Sequence, residues 1–259
     1  MTTQQAEHAI AVHSRQANQF AEAYEAMGRS RFESCFTYSR SRLDRRLEAV
    51  LPPVADAERL LDVGCGTGHH LAALRKRGYD VAGVEGSTEM LVHARANNPS
   101  ADLRQAEVDR LPFEDATFDR VVCVEVLRYL ADPAPCIGEM ARVLRPGGLC
   151  LATATPPLNL NGYALVNRIA VTAPVPGLTR LRQFFQSPAR LRRLFSDAGF
   201  EDPRIRGVYL GPVNWVQRIA PSRISRFLAA WERVDDALAG RPAMAPLTNM
   251  VLVAATRKQ

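Results

Sequence analysis

Short apolar runs alternate with longer amphipathic segments along the first two thirds of the chain. Apolar runs of this length are typical of buried strands, and they occupy residues 59–63, 79–85, 101–107, 118–127 and 149–155. The intervening segments carry apolar residues at helical spacing, at residues 69–78, 87–98 and 133–144. Ser87 is placed to cap the second of these helices, and Gly78 to end the first. Strands that alternate with helices predict an α/β fold with a parallel sheet.

The pattern differs at the two ends of the chain. Two helices are predicted near the N-terminus, at residues 20–27 and 41–51, and residues 145–148 are expected to form a turn. Residues 156–180 are rich in Pro, Asn and Gly and fit no simple strand or helix. A helix capped by Ser187 is predicted at residues 187–200 and a strand at residues 201–210. Two amphipathic helices separated at Pro221 are predicted within residues 215–238, and a terminal strand at residues 247–256.

Composition and charge narrow the class of protein. The 259 residues are 47% hydrophobic and 23% charged, as in ordinary globular domains. The formal charge is +6, and residues 176–233 hold eleven arginines against four acids. This excess is either a bias towards arginine on solvated faces or a surface for an anionic substrate or membrane. The five cysteines lack metal-site spacing, and the N-terminus lacks the pattern of a secretory signal, so a cytoplasmic protein with reduced thiols is expected.

A glycine-rich stretch follows the first predicted strand. In "LLDVGCGTGHH", Gly64, Gly66 and Gly68 are separated by single residues. A glycine turn between a strand and a helix lets a ligand approach the backbone closely. His69 stands where the dinucleotide-binding fingerprint has its third glycine, and no Gly-Lys-Ser/Thr sequence of a phosphate loop is present. The stretch therefore indicates a ligand without a diphosphate.

Two acids end the next two strands. Glu85 is placed to accept hydrogen bonds from both hydroxyls of a ribose. Glu107 is placed to accept from an adenine amino group, and the backbone N–H of Val108 to bond a ring nitrogen. Together with the glycine turn, these positions indicate adenosine that carries a tail other than phosphate.

The chain resembles the class I S-adenosylmethionine-dependent methyltransferases. The matching stretches are "LLDVGCGTG", "VAGVEGSTEML", "AEVDRLPFEDATFDRVVCVEVLRYLADP", "EMARVLRPGGLCLAT" and "LFSDAGF", in the family's order. The resemblance implies S-adenosylmethionine as cofactor and a Rossmann-like, doubly wound, seven-stranded sheet whose last strand is antiparallel. It further implies an N-terminal helical cap (1–55), a cofactor-binding core (56–156) and a last part (157–259) that completes the sheet and supplies lid-forming insertions at the acceptor pocket, within one integrated domain.

The resemblance also assigns positions to the cofactor. Asp62, Gly64 and Gly66 would line its methionine end, and Met90 would pack on the adenine. The complete expected set is Asp62, Gly64, Cys65, Gly66, Gly68, Glu85, Gly86, Met90, Glu107, Val108 and Val124, with no metal. Glu107 replaces the family's usual Asp, which lengthens the side chain by one methylene. "VLRYL" stands where many relatives have "VLHHL", so a histidine sometimes used as acid or base is missing.

Glu125, Arg128 and Tyr129 are expected at the methyl-transfer end. Arg128 is either a ligand of an anionic acceptor or a solvated helix-start residue, and Glu125 or Tyr129 would orient a hydroxyl or amine. Among the histidines, only His13 is expected to reach the pocket, so we expect positioning to matter more than base catalysis.

The aromatic N-terminal and late segments suit a small, partly apolar acceptor, methylated on O, N or C in small-molecule or lipid biosynthesis. Two alternatives remain: an RNA methyltransferase, and a non-catalytic cofactor-binding protein that acts through a partner. No specific nucleic acid partner is expected, because no Asn/Asp-Pro-Pro-Tyr/Phe motif follows the fourth strand and no RNA-binding module is apparent. Peripheral membrane contact stays open but is not favoured.

Overall fold

The computed structural model describes residues 3–26, 30–54, 56, 58–172 and 181–259. Its centre is a seven-stranded sheet in the order β3-β2-β1-β4-β5-β7-β6. The strands are β1 (Arg59–Val63), β2 (Asp80–Glu85), β3 (Asp102–Gln105), β4 (Phe118–Cys123), β5 (Leu144–Ala154), β6 (Phe200–Tyr209) and β7 (Met250–Arg257). All strand pairs among β1, β2, β3, β4 and β5 are parallel, and β7 is antiparallel to both of its neighbours, β5 and β6. The predicted sheet is therefore confirmed, and β6 and β7 of the 157–259 part belong to the same sheet as the core.

Helices cover both faces of the sheet. They are α1 (Thr3–Ala26), α2 (Cys35–Val50), α3 (His69–Arg75), α4 (Thr88–Asn97), α5 (Ala134–Val143), α6 (Tyr163–Thr172), α7 (Pro188–Asp197), α8 (Val213–Ile219) and α9 (Ile224–Leu238). One buried cluster contains Leu61 of β1 and Phe195 of α7, and a second contains Leu60 of β1 and Leu43 of α2. Successive strand residues thus enter opposite cores, as in a doubly wound sheet. No helix in these residue ranges has the length and hydropathy to cross a membrane.

The structure differs from the prediction at several elements. Helix α1 spans Thr3–Ala26 instead of residues 20–27, α2 begins at Cys35 instead of residue 41, and β3 ends at Gln105, before Glu107. Residues 156–180, expected to be irregular, contain α6, whose first turn is held because the Tyr163 N–H donates to Asn159 Oδ1 (3.1 Å). The fourth strand ends at Cys123 instead of residue 127, although the apolar run continues. The turn expected at residues 145–148 lies inside β5, where Gly147 has a φ of 77° and the pairing with β4 shifts register. Local composition therefore did not determine the backbone path of these segments.

A buried ionic contact joins the N-terminal cap to the late part of the chain. Asp235 of α9 is 0% exposed and accepts hydrogen bonds from the Tyr38 hydroxyl (2.6 Å) and the Leu210 N–H (2.8 Å). Arg42 of α2 places its Nε 3.0 Å from the same carboxylate. Removing Asp235 would leave the buried Tyr38 hydroxyl and the Leu210 N–H without their acceptor, whereas Arg42 keeps Asp236 as a partner (2.6 Å). This contact therefore fixes α2, which contributes to the cavity described below.

We expect Asp235→Ala to lower the free energy of unfolding by about 2–6 kcal/mol, because the Tyr38 hydroxyl and the Leu210 N–H are left buried without an acceptor at about 1–3 kcal/mol each. Asp236→Ala is the matched control, since its carboxylate also pairs with Arg42 but is 49% exposed, and it should cost about 1 kcal/mol or less. Urea denaturation followed by circular dichroism measures both values. Equal losses in the two variants would show that the buried contact has no special weight.

Candidate active site

A cavity of about 470 Å³ lies at the carboxyl ends of the parallel strands. Its walls come from the segments that follow β1, β2, β3 and β4, from the end of β6, and from α1, α2, α6 and α8. In open α/β sheets this edge is the usual place for a ligand. The volume is in the range of small-molecule sites.

The glycine turn after β1 forms part of the wall, and its three glycines differ in their surroundings. All have positive φ, at 75° for Gly64, 54° for Gly66 and 78° for Gly68. A Cβ at Gly64 would lie 2.3 Å from Val126 Cγ2, and one at Gly68 would lie 2.5 Å from Asn98 Nδ2. A Cβ at Gly66 would meet no described atom within 4 Å. Packing within the protein therefore explains Gly64 and Gly68, whereas Gly66 lines the cavity with open space at its Cβ position.

Glu85, at the end of β2, holds the glycine turn in place. Its Oε2 accepts the Gly66 N–H (3.0 Å) and its Oε1 accepts the Ser87 N–H (3.0 Å). The side chain lines the cavity, and burial raises its pKa. A carboxylate oxygen accepts more than one hydrogen bond, so both oxygens keep acceptor capacity for a ligand.

The carboxyl group of Asp62, in β1, is buried, and no described residue donates a hydrogen bond to it. It is 1% exposed, and neither carboxyl oxygen has a hydrogen-bond partner among the residues that the structure describes. Burial and the nearby charge of Glu85 raise its pKa to about 7. Asp62 does not itself line the cavity. An ammonium group that reached it would remove the cost of the unpaired carboxylate.

Of the eleven predicted cofactor positions, nine line the cavity wall, and Asp62 and Gly68 do not. Those at the wall are Gly64, Cys65, Gly66, Glu85, Gly86, Met90, Glu107, Val108 and Val124. Gly68, like Asp62, does not line the cavity, because it packs against α4. A Cβ at Gly86 would lie 2.7 Å from Ile10 Cδ1, so α1 packs directly over this wall. Binding by these residues stays a prediction.

A charged cluster occupies another part of the wall. Glu125 has a φ of 59°, rare for a residue other than glycine, and its N–H donates to Thr153 Oγ1 (2.6 Å). Its carboxylate accepts from Arg40 Nη2 and from Arg128 Nη1 (2.6 Å). Although burial acts to raise it, the two guanidinium groups lower the pKa of Glu125 to about 2. The carboxylate thus stays ionised and is a weak base at neutral pH.

Arg40 is the main site residue that the sequence analysis missed. Its side chain is 8% exposed, and it lies in α2, far from the recognised motifs. Phe36, Arg40, Leu43 and Leu47 follow one another at helical spacing, so a charged residue interrupts a face that is otherwise apolar. That interruption was the available signal, since a buried arginine requires a partner.

Aromatic rings surround this cluster. Tyr24, Phe36, Tyr129, Tyr163 and Tyr209 all line the cavity. His13 meets Tyr129 edge to face, with ring centroids 4.8 Å apart, and burial lowers its pKa, so it is neutral at pH 7. The wall is therefore apolar and aromatic with a few polar groups, as small-molecule sites commonly are.

Three side chains next to this wall have donor atoms suited to a metal ion. Atoms of Asp44, His69 and His70 all lie within 4.8 Å of one another. Burial and the charge of Arg40 lower the pKa of His69 to about 4 and of His70 to about 3. The same guanidinium charge opposes a bound cation here. The absence of a metal stays a prediction.

Comparison with known proteins agrees with this arrangement. A family model described as "Methyltransferase domain" matches residues 61–152. The ubiquinone biosynthesis O-methyltransferases of Psychrobacter arcticus and Idiomarina loihiensis are 33% and 31% identical, each over 61% of this chain and over 64% and 67% of their own lengths. The chain thus aligns with slightly under two thirds of the first relative's length.

Solved structures extend the similarity of fold beyond the matched core. A methyltransferase of Thermotoga maritima, described as a possible histamine N-methyltransferase, superposes with a TM-score of 0.65 at 19% identity, covering 96% of this chain and 99% of that one. Geranyl diphosphate C-methyltransferase of Streptomyces coelicolor gives 0.58 at 17%, covering 84% and 79%. The fold is thus that of the Rossmann-like methyltransferases. The chain belongs to the class I S-adenosylmethionine-dependent methyltransferase family.

We expect Gly66→Ala to weaken the binding of S-adenosylhomocysteine at least tenfold, because the added methyl projects into the cavity. The free energy of unfolding should fall by only about 1–2 kcal/mol, the cost of left-handed backbone for a residue with a Cβ. Gly64→Ala should reduce stability more, since its methyl would overlap Val126. Calorimetry measures the affinity, and urea denaturation measures the free energy of unfolding. Unchanged affinity in Gly66→Ala would contradict the assignment of Gly66 to the cofactor site.

We expect Asp62 to make stability and binding depend on pH in opposite directions. Its pKa is raised from 3.8 to about 7 in the folded protein, so its contribution to stability is lost as pH rises between these values. Affinity for S-adenosylhomocysteine, whose ammonium needs the ionised carboxylate, should rise as pH passes 7. Asp62→Asn should abolish both dependences and weaken binding about 10- to 150-fold. An unchanged pH profile in this variant would contradict the assignment.

Proposed function

We propose that this protein transfers the methyl group of S-adenosylmethionine to a small, partly apolar acceptor bound in the same cavity. The observation that carries the proposal is the chemical division of the cavity wall. One part has an open glycine backbone and the carboxylate of Glu85, and another has guanidinium groups among aromatic rings. The first part suits the cofactor and the second suits an organic acceptor.

The residues of the first part fit the cofactor group by group. Gly66 leaves room beside the backbone, and Glu85 keeps acceptor capacity for the ribose hydroxyls. The unpaired carboxyl of Asp62 would pair with the ammonium of the methionine tail. Met90, Glu107 and Val108 would contact the adenine. When bound, the cofactor would supply a methyl carbon that an acceptor lone pair attacks. The electron pair of the broken carbon–sulfur bond stays on sulfur, and an acceptor hydroxyl releases its proton to solvent.

The second part would position the acceptor. Arg128 and Tyr129 present polar atoms at the wall, and α1 and α2 help to shield the cavity from water. Glu125 orients its arginine partners and does not act as a strong base, since its pKa is about 2. Alignment alone contributes about 7–11 kcal/mol in well-oriented reactions. We therefore assign positioning, and not base catalysis, to Glu125, Arg128 and Tyr129.

The relatives favour an oxygen acceptor among the three possibilities of O, N and C. Several are named ubiquinone biosynthesis O-methyltransferase, and they share the matched core at about 30% identity. The Streptomyces coelicolor protein is named as a C-methyltransferase, and it shares the fold alone. We propose methylation of a hydroxyl group in the biosynthesis of a small molecule or lipid, in the cytoplasm.

Transfer of radiolabelled methyl groups distinguishes this proposal from an RNA methyltransferase and from a non-catalytic partner protein. Purified protein would be incubated with labelled S-adenosylmethionine and with phenols, amines, quinones, organic acids or tRNA. We expect label in a small organic compound and none in tRNA. Label in tRNA alone, or cofactor binding without transfer to any compound in the series, would contradict the proposal.

We expect Glu85→Ala to weaken S-adenosylmethionine binding by about 1.5–3 kcal/mol, which is the range for hydrogen bonds to a charged group. The glycine turn also loses its acceptor for the Gly66 N–H, which acts in the same direction. Glu114→Ala, in an exposed acid away from the cavity, is the control. Calorimetry measures the affinities. Equal affinity of the Glu85 variant and the control would contradict the assignment of Glu85 to the ribose hydroxyls.

A further inference from the structure

We propose that α6, α8 and the loop before α6 form a surface that binds anionic lipid bilayers. The surface consists of exposed apolar side chains with arginines among them, and we call its apolar residues the α6–α8 surface. They are Leu158, Leu160, Leu165, Ile169, Trp215 and Ile219. Binding to a bilayer goes beyond the proposed function and does not depend on which acceptor is methylated.

The loop before α6 reverses the usual burial of polar and apolar residues. Asn159 and Asn161 are 5% and 2% exposed, whereas Leu158 and Leu160 are 68% and 42% exposed. Asn161 is held inside because its Oδ1 accepts the Asn214 N–H (3.1 Å), and Asn159 because its Nδ2 donates to a backbone carbonyl (2.6 Å). The fold therefore keeps both leucines in water, although their burial in an apolar medium would be favourable.

Helices α6 and α8 expose the same pattern of side chains. The exposed residues are Leu165, Arg168 and Ile169 in α6, and Trp215, Arg218 and Ile219 in α8. Positions i, i+3 and i+4 share one helix face, so each helix presents two apolar side chains around one arginine. The loop and α8 are in contact, because Trp215 Nε1 donates to the Asn161 carbonyl (3.0 Å). Helix faces that combine apolar and basic residues are typical of proteins that lie on a membrane.

The charges on these segments favour an anionic bilayer. Residues 156–172 and 211–226 contain no Asp or Glu, and their four arginines are all exposed. A second copy of the chain, docked through the same surface by twofold symmetry, would bring these arginines against one another. The phosphate backbone of a nucleic acid would attract the arginines but would not bury the apolar side chains. Anionic lipid offers both the negative charge and the apolar medium.

The same elements also form part of the cavity. Tyr163 of α6 and Asn214 of α8 line it, and Asn214 Nδ2 donates to the Tyr163 hydroxyl. Binding of α6 and α8 to a bilayer would therefore bring the cavity near the lipid phase, in which partly apolar compounds dissolve. The protein would then take its acceptor from the membrane.

Sedimentation of the whole chain with lipid vesicles tests this surface. The vesicles contain equal parts of phosphatidylcholine and phosphatidylglycerol, or phosphatidylcholine alone. We expect at least tenfold tighter binding to the mixed vesicles. The double variant Leu165→Ser/Ile219→Ser should bind mixed vesicles at least tenfold more weakly, because two apolar side chains no longer enter the bilayer. Arg168→Gln/Arg218→Gln should lose most of the preference for mixed vesicles.

Two matched controls lie outside the α6–α8 surface. Val92→Ser removes an exposed apolar side chain of α4, and Arg204→Gln removes an exposed arginine of β6. Both should bind mixed vesicles like the wild type. Unchanged thermal unfolding by circular dichroism shows that a variant is folded. If Leu165→Ser/Ile219→Ser fails this control, Ile219→Ser alone decides, with an expected loss of at least threefold.

Trp215 offers a second measurement. It is exposed, whereas Trp231, the other tryptophan of the chain, stacks on Phe227. Mixed vesicles whose phosphatidylcholine carries bromine on its acyl chains quench the fluorescence of a tryptophan that enters the bilayer. We expect quenching in the wild type and none in Trp215→Phe.

Several results would overturn the proposal. One is no binding of the wild type to mixed vesicles, and another is equal binding by the wild type and Leu165→Ser/Ile219→Ser. A dimer in light scattering that this double variant dissociates, without vesicle binding, would assign the surface to a second copy of the chain. Binding of tRNA in place of vesicles would assign it to nucleic acid. Methyl transfer is measured without vesicles, so none of these results decides the proposed function.

Discussion

The carboxylate of Glu125, held between two buried guanidinium groups, is the interaction on which the second part of the cavity depends. It ties α2, through Arg40, to the segment that follows β4, and Thr153 of β5 anchors the Glu125 backbone. Because two guanidinium groups outweigh the effect of burial, the pKa of the carboxylate falls to about 2 and it stays ionised at neutral pH. The position of the N-terminal cap and the electrostatics of the site are therefore set by the same contact.

The two parts of the cavity use buried charge in different ways. Glu85 is satisfied by the backbone N–H groups of Gly66 and Ser87, so its charge is compensated before any ligand binds. Asp62, Arg40 and Arg128 keep donors or acceptors without partners among the described residues. Folding thus leaves a cost at these side chains that ligands of opposite charge would remove. An ammonium group of the cofactor near Asp62 and a polar acceptor near Arg128 would therefore bind in different parts of one cavity.

Much of the fold was predictable because it depends on local pattern. The alternation of apolar strands and amphipathic helices gave the sheet, and the glycine turn with Glu85 indicated the adenosine ligand. Arg40 was not recognised, because its role arises only when α2 packs beside the turn that contains Glu125. The reasons for Gly64 and Gly68 also depend on distant residues, Val126 and Asn98. Helix α6 was hidden by the Pro- and Asn-rich sequence around it, although Asn159 stabilises its first turn.

A crystal structure of the protein with S-adenosylhomocysteine tests the central claim, the chemical division of one cavity, most directly. The account predicts that the ribose hydroxyls contact the carboxylate of Glu85 and that the ammonium lies near Asp62. It also predicts that the sulfur faces the cluster of Arg40, Glu125 and Arg128. A ligand bound outside this cavity, or one whose sulfur faces away from that cluster, would contradict the account.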